Sequence, residues 1–189
     1  MSQSIAAIPL APPLVLGVAF TIPRHEPARY PRPDVGARFI KLRIDPLLDL
    51  LFVSEVTLPS NLDCLAALTS PGVTAVSLRT ASLELLPEAP CTGPRRGPSL
   101  NAFASGQCFV TAHDRKAQIA TFGERQVHAT GIEMQVQRHV NLLEYLRSDW
   151  FTVEVSGTLR RRLTQPLPLR LQLTFDVQVT EQAKGPLAA

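Results

Sequence analysis

Chemistry in this chain would have to come from a few side chains. Cys108 and His128 are the pair that invites a nucleophile-and-base reading. A thiol attacks as its thiolate, so a base must lie within hydrogen-bond reach of it. If Gln107–Ala112, Ala117–Phe122 and Val127–Gln137 form a meander, Ala112 faces Ala117 and Phe122 faces Val127. Cys108 then faces Thr121, and Thr121 faces His128, which sets the pair two strands apart, on the order of 10 Å. That separation forbids a dyad and leaves both residues structural. The remaining histidines (His25, His113, His139) and cysteines (Cys64, Cys91) show no C-x-x-C or H-x-x-x-H spacing for a metal. Ser99 and Ser105 sit in no nucleophile elbow, and Glu144 and Asp149 are isolated acids. The sequence therefore predicts no catalytic residue, no metal site and no cofactor.

Arginine is the other candidate. Arg160, Arg161 and Arg162 are consecutive, Arg170 follows, and Arg147 precedes them. Positive charge alone suffices to hold phosphate oxygens. In a strand, Arg160, Arg162 and Arg170 share an outward face and Arg161 points away. Arg160, Arg162, Arg170 and Arg147 are thus the candidate anion-binding residues. No aromatic side chain is interleaved with them, as a platform for single-stranded nucleic acid would require. Charge that protects a strand end from pairing accounts for them better. Nucleic acid is the alternative partner, not the favoured one.

The elements that carry these residues are strands. Phe151, Val153, Val155, Gly157 and Leu159 alternate with Thr152, Glu154, Ser156, Thr158 and Arg160, and Leu169–Val179 alternates again. Period two over such lengths means one buried and one wet face. The two stretches read as one long hairpin, Trp150–Leu163 against Leu169–Val179. A loop over Thr164–Pro168 keeps Glu154 from Asp176 and Arg160 from Arg170, and it houses Pro166 and Pro168. Gly157, in the buried phase, implies a bulge or a large neighbour over it.

Composition agrees. The chain has 189 residues, 19% of them charged, with 17 prolines and a net charge of +3. That suits a loop-rich β protein with a real core and is too weak a charge to require a polyanion. Three cysteines at wide spacings point to reduced thiols inside the cell. The apolar stretch Leu14–Thr21 is short and has no Lys or Arg before it, so it reads as neither a signal peptide nor a membrane span.

In order, Leu14–Ile22 and Ala37–Ile44 read as strands, the latter with Ile40, Leu42 and Ile44 alternating against Lys41 and Arg43. Asp45-Pro46 is a start signal for a short helix through about Phe52, while Leu47–Val56 reads equally as a buried strand. A two-turn helix follows over 61–69, opened by Ser60-Asn61-Leu62-Asp63. Val73–Leu86 is a strand whose apolar phase slips near Thr80, implying a bulge or a change of sheet. Asn141–Arg147 is a short helix capped by Asn141. The expected whole is mainly β: one domain over 1–189, sandwich-like and antiparallel, with eight or nine strands and two or three short connecting helices. Proline-rich loops occupy 23–36 and 87–102, and a flexible tail 181–189. The function expected of such a chain is that of a non-catalytic structural or interaction subunit. It would join other protein subunits, or copies of itself, through β edges and proline-rich arms. The expected location is intracellular, in the cytoplasm or within a large assembly.

Overall fold

A computed structural model describes residues 13–22, 50–86 and 99–180. The predicted strand Ala37–Ile44, most of both proline-rich loops and the tail 181–189 lie outside the described residues. So does Cys91.

Among the described residues the apolar alternation seen in the sequence becomes nine strands in two antiparallel sheets. They are β1 (Leu14–Ile22), β2 (Leu51–Pro59), β3 (Val73–Leu85), β4 (Phe103–Ala112), β5 (Arg115–Phe122), β6 (Gly131–Glu133), β7 (Gln135–Val136), β8 (Trp150–Leu159) and β9 (Leu167–Val179). One sheet has the order β1-β9-β3-β6 and the other β2-β8-β4-β5-β7. With the two-residue β7 set aside, the pairings β1 with β9, β2 with β8, β3 with β6 and β4 with β5 are nested one inside the next. A chain folded back on itself in this nested way and split between two sheets is a jelly roll.

The core is the inward phase of both sheets. Leu14, Leu16 and Val18 of β1, Leu169, Leu171, Leu173 and Phe175 of β9, and Phe151, Val153 and Val155 of β8 are all buried. The phase slip of β3 is a pair of register shifts against β9, one of them between Leu78 and Thr80, as the sequence implied. Gly157 is overhung by a large neighbour. It lies opposite Gly106 of β4, and a Cβ there would stand 3.0 Å from the Phe52 ring and only 2.2 Å from the Ser105 carbonyl oxygen. A Cβ on Gly106 would strike the Phe122 ring at 2.3 Å. The glycine pair thus makes room for Phe52, Phe103 and Phe122, which meet edge to face with centroids 5.1 and 6.1 Å apart.

Several expectations are corrected. The long hairpin does not form: β8 lies between β2 and β4 in one sheet, and β9 lies between β1 and β3 in the other. The two strands present their apolar phases towards one another across the core, and 160–166 carries the chain from sheet to sheet with Leu163 buried. Avoiding like charges across a hairpin decides nothing when the strands are not neighbours. The turn after β4 has two residues rather than four, since Ala112 faces Arg115. His113 takes a positive φ of 50° there. The expected strand Val127–Gln137 is broken. Gly131–Glu133 pairs with β3, buried Met134 carries the chain between the layers, and Gln135–Val136 pairs with β5.

The helix expected over 61–69 is a 3-10 turn, Asp63–Thr69, with Leu65 and Leu68 buried and no side-chain cap. Of the two readings left for Leu47–Val56, the described part is strand from Leu51. The last helix, α1 (Leu143–Leu146), is a single turn. Asn141 Oδ1 accepts from the backbone N–H groups of Leu143 and Val76, tying α1 to β3.

Candidate functional site

Jelly rolls and barrels that hold ligands do so inside or on a face. Here the inside is filled. The space between the sheets is a cavity of about 10 Å³ walled by Leu16, Val110, Ile119, Phe151, Leu173 and other apolar groups. An apolar void of that size holds no ligand. Cys108 belongs to this interior: it is fully buried, faces Ala120, and its thiol is pushed up to about 12 by burial and by the nearby Glu154 carboxylate. A thiol so protonated is no nucleophile at neutral pH. The row of Cys108, Thr121 and His128 expected from the meander is not formed. Gln107 faces Thr121, and His128 stands exposed outside the strands, its backbone N–H bonded to Gly131 O. Among the described residues no group of three or more His, Cys, Asp or Glu is arranged to hold a metal ion.

The four arginines are dispersed. Arg147 is a structural clamp: its Nε donates to Leu68 O at 2.9 Å and its Nη2 to Ser70 O and Val73 O at 3.1 and 3.4 Å. These are carbonyls at the exit of the 3-10 turn and the start of β3, and Ser70 O also accepts from the Val73 backbone N–H at 3.2 Å. Arg160 donates through Nε to Phe103 O at 2.9 Å, and its Nη2 lies 3.5 Å from Glu124 Oε1. Arg162 is exposed in the crossover between sheets. Arg170 is exposed on the outer face of the other sheet, in register between Ala19 and Glu84. The shared outward face assumed a continuous hairpin, and without the hairpin the set is not one surface.

The outer face of the sheet β2-β8-β4-β5-β7 is more organised. Its cross-strand neighbours are hydrogen-bonded in rows: Thr57 with Thr152 and Ser105 with Thr158, both at 2.9 Å, and Gln107 with Gln118 and Gln118 with Gln137 at 2.9 and 3.1 Å. Between these rows lies a charged centre. Glu154 of β8 faces Phe109 of β4 and Glu55 of β2. Its carboxylate is bonded by Lys116 of β5, whose ammonium also sits 4.5 Å above the centre of the Phe109 ring. Glu154 is thereby neutralised although little exposed. Glu55, beside it, makes no ion pair with any described residue. A groove of about 560 Å³ crosses this face, with Ser105, Gln107 and Ser156 along it and Leu51 and Val53 of β2 at its margin.

That margin is an edge among the described strands. Among the described residues β2 pairs only with β8, and β1 only with β9. Both edge strands are nine residues long, and they lie next to each other in the two layers. The opposite edges are β6 and β7, of three and two residues. Shortness blunts an edge, and so do Lys, Pro and bulges. β1 and β2 carry one charge between them, Glu55, and the only proline within them is the terminal Pro59. The sequence placed β1 correctly and left the start of β2 open. It held no sign that these strands would be edges.

No protein-family model and no curated protein matches the sequence. Among solved structures, one of turnip yellow mosaic virus aligns over 100% of this chain and 89% of its own, at 12% identity and a TM-score of 0.25. At that score the likeness carries no argument.

Proposed function

We propose that the chain is a non-catalytic structural subunit of a larger protein assembly and associates through its sheet edges. The observation that carries this reading is the asymmetry of the edges. One side of the sandwich ends in two strands of two and three residues, whereas the other presents two of nine residues with almost no protective charge. Long edges whose outer backbone donors and acceptors pair with no strand among the described residues are the parts of a sheet that can pair with another chain. The filled interior supports the same reading. Of the uses to which jelly rolls are put, enclosure of a ligand needs space that this core lacks, while building a shell needs a rigid wedge. The shell-forming use is an analogy of fold.

The test is the mass of the full chain in solution, by light scattering across a dilution series. A defined oligomer or closed particle is the expected outcome. A monomer at all concentrations, with no partner co-purifying at native abundance, overturns the reading. The competing function is an anion-binding module that uses Arg160, Arg162 and Arg170. It predicts retention on a polyanion column that falls steeply with salt and is lost when Arg162 and Arg170 are replaced. No helix among the described residues is long and apolar enough to cross a membrane, which is compatible with either function.

A further inference from the structure

We propose that the outer edge of β2 is a strand-addition site for a segment of a second polypeptide. That segment carries apolar residues in one phase and Lys or Arg in the other. This goes one step beyond the assembly reading and rests on it only for its biological setting.

Three features of β2 define the occupant. The first is backbone: the side of β2 away from β8 has no strand among the described residues, over a length of nine residues. An added strand would satisfy that side by main-chain hydrogen bonds. The second is the inward phase. On the neighbouring central strand β8, Phe151, Val153 and Val155 are 1 to 3% exposed. On β2 the residues in the same layer beyond Phe52, namely Ser54, Val56 and Leu58, are only half-buried. The core is therefore unfinished along this margin, and the added strand must bring apolar side chains in that phase.

The third feature is charge. Glu55 stands opposite Glu154 in the outward phase, a like-charge pair that costs stability. Lys116 answers Glu154 from the far side, which leaves Glu55 facing the open edge. A Lys or Arg opposite Glu55 on the incoming strand would neutralise it. Leu51 and Val53, 48% and 63% exposed in the same phase, would lie along the aliphatic stem of such a side chain. A strand with acidic residues in this phase is rejected by the same geometry.

Residues 37–44 of this chain include the required alternation over 40–44, with Ile40, Leu42 and Ile44 against Lys41 and Arg43. A labelled synthetic peptide of that sequence is the probe. A second peptide with Lys41→Glu and Arg43→Glu is its control. Each is titrated by fluorescence anisotropy into the full chain and into its Glu55→Lys and Glu55→Gln variants, with amide exchange recorded on the complex. The basic peptide should bind saturably and protect amides of β2, and it should bind the wild type at least roughly threefold more tightly than the acidic one. Glu55→Lys should reverse that preference, and Glu55→Gln should flatten it without unfolding the chain.

Absence of binding, equal binding of the two peptides, or protection confined to other strands overturns the proposal. Failure here is separable from failure of the assembly reading. A monomer that binds the peptide as described overturns assembly alone. An oligomer that ignores the peptide and assembles unchanged with Glu55→Lys overturns strand addition alone.

Discussion

Two glycines of this chain look alike in sequence and are opposites in structure. Gly17 and Gly157 both lie in strands, yet a Cβ on Gly17 would meet nothing within 4 Å, and one on Gly157 would stand 2.2 Å from Ser105 O and 2.6 Å from the Gly106 Cα. Backbone atoms cannot swing aside as the end of a side chain can. Gly157→Ala should therefore lower stability by about 1–3 kcal/mol or more, as overpacking does. Gly17→Ala should be neutral or should stabilise by about 0.4–1 kcal/mol through a less flexible unfolded chain. Urea midpoints of the two variants check the contrast.

Cys108 supplies a second test at this scale. Its folded pKa is raised from 9.0 to about 12, first by burial and then by the Glu154 charge. Above pH 9 the unfolded chain loses this proton and the folded chain keeps it. The stability contribution is thus fully present below pH 9 and lost as pH rises towards 12, at up to about 1.4 kcal/mol per pH unit. Denaturation curves between pH 8 and pH 11 should fall more steeply for the wild type than for Cys108→Ala. Parallel curves would mean the thiol reaches solvent.

Among the elements, β9 is the organising strand, flanked by β1 on one side and β3 on the other. Its inward residues Leu171 and Phe175 are 0 and 1% exposed, whereas Thr174 belongs to the outer face between Val15 and Thr80. Leu171→Ala or Phe175→Ala should cost about 2–5 kcal/mol through lost transfer energy and a cavity. Thr174→Ala should cost well under about 1 kcal/mol. Equal losses in denaturant melts would show that the outer face is covered as well. The 3-10 turn Asp63–Thr69 depends on Arg147, which holds three of the carbonyls around its exit. Arg147→Ala should cost about 1–3 kcal/mol, because those acceptors lose a charged partner. It should leave the salt dependence of polyanion binding unchanged. A loss of anion affinity without loss of stability would return Arg147 to the binding surface.

For the whole molecule, the nested pairing means that the first described strand closes on the last: Leu14 faces Phe175. Loop closure must come before most native contacts reward it, so folding should be slow for the chain's size, in milliseconds to seconds rather than microseconds. Stopped-flow refolding followed by far-ultraviolet circular dichroism measures this. Removing β9 by truncation at Leu163 should abolish folding rather than trim an edge, since β1 would lose its partner and β3 the strand it pairs with along its whole length. A truncated chain that retains a cooperative melt would mean that the other sheet is self-sufficient.

Much of this architecture was legible in the residues themselves. The limits of β1, the phases of β8 and β9, the irregularity near Thr80 and the close packing over Gly157 all follow from alternation and side-chain size, which are local. Which strand lies beside which is not local. An apolar phase states that a face is buried, and Val153 satisfies it equally well across a hairpin or across a sandwich. The long hairpin from Trp150 to Val179 was consistent with every residue in it, and it was still replaced by a crossover between sheets. Only that crossover dispersed the four arginines, set Glu55 beside Glu154, and left β1 and β2 as edges among the described strands. Those outcomes depend on contacts between residues far apart in the chain, 99 positions for Glu55 and Glu154. Side-chain periodicity carries no information at that range, and the fold resolved it by burying both faces of the core at once.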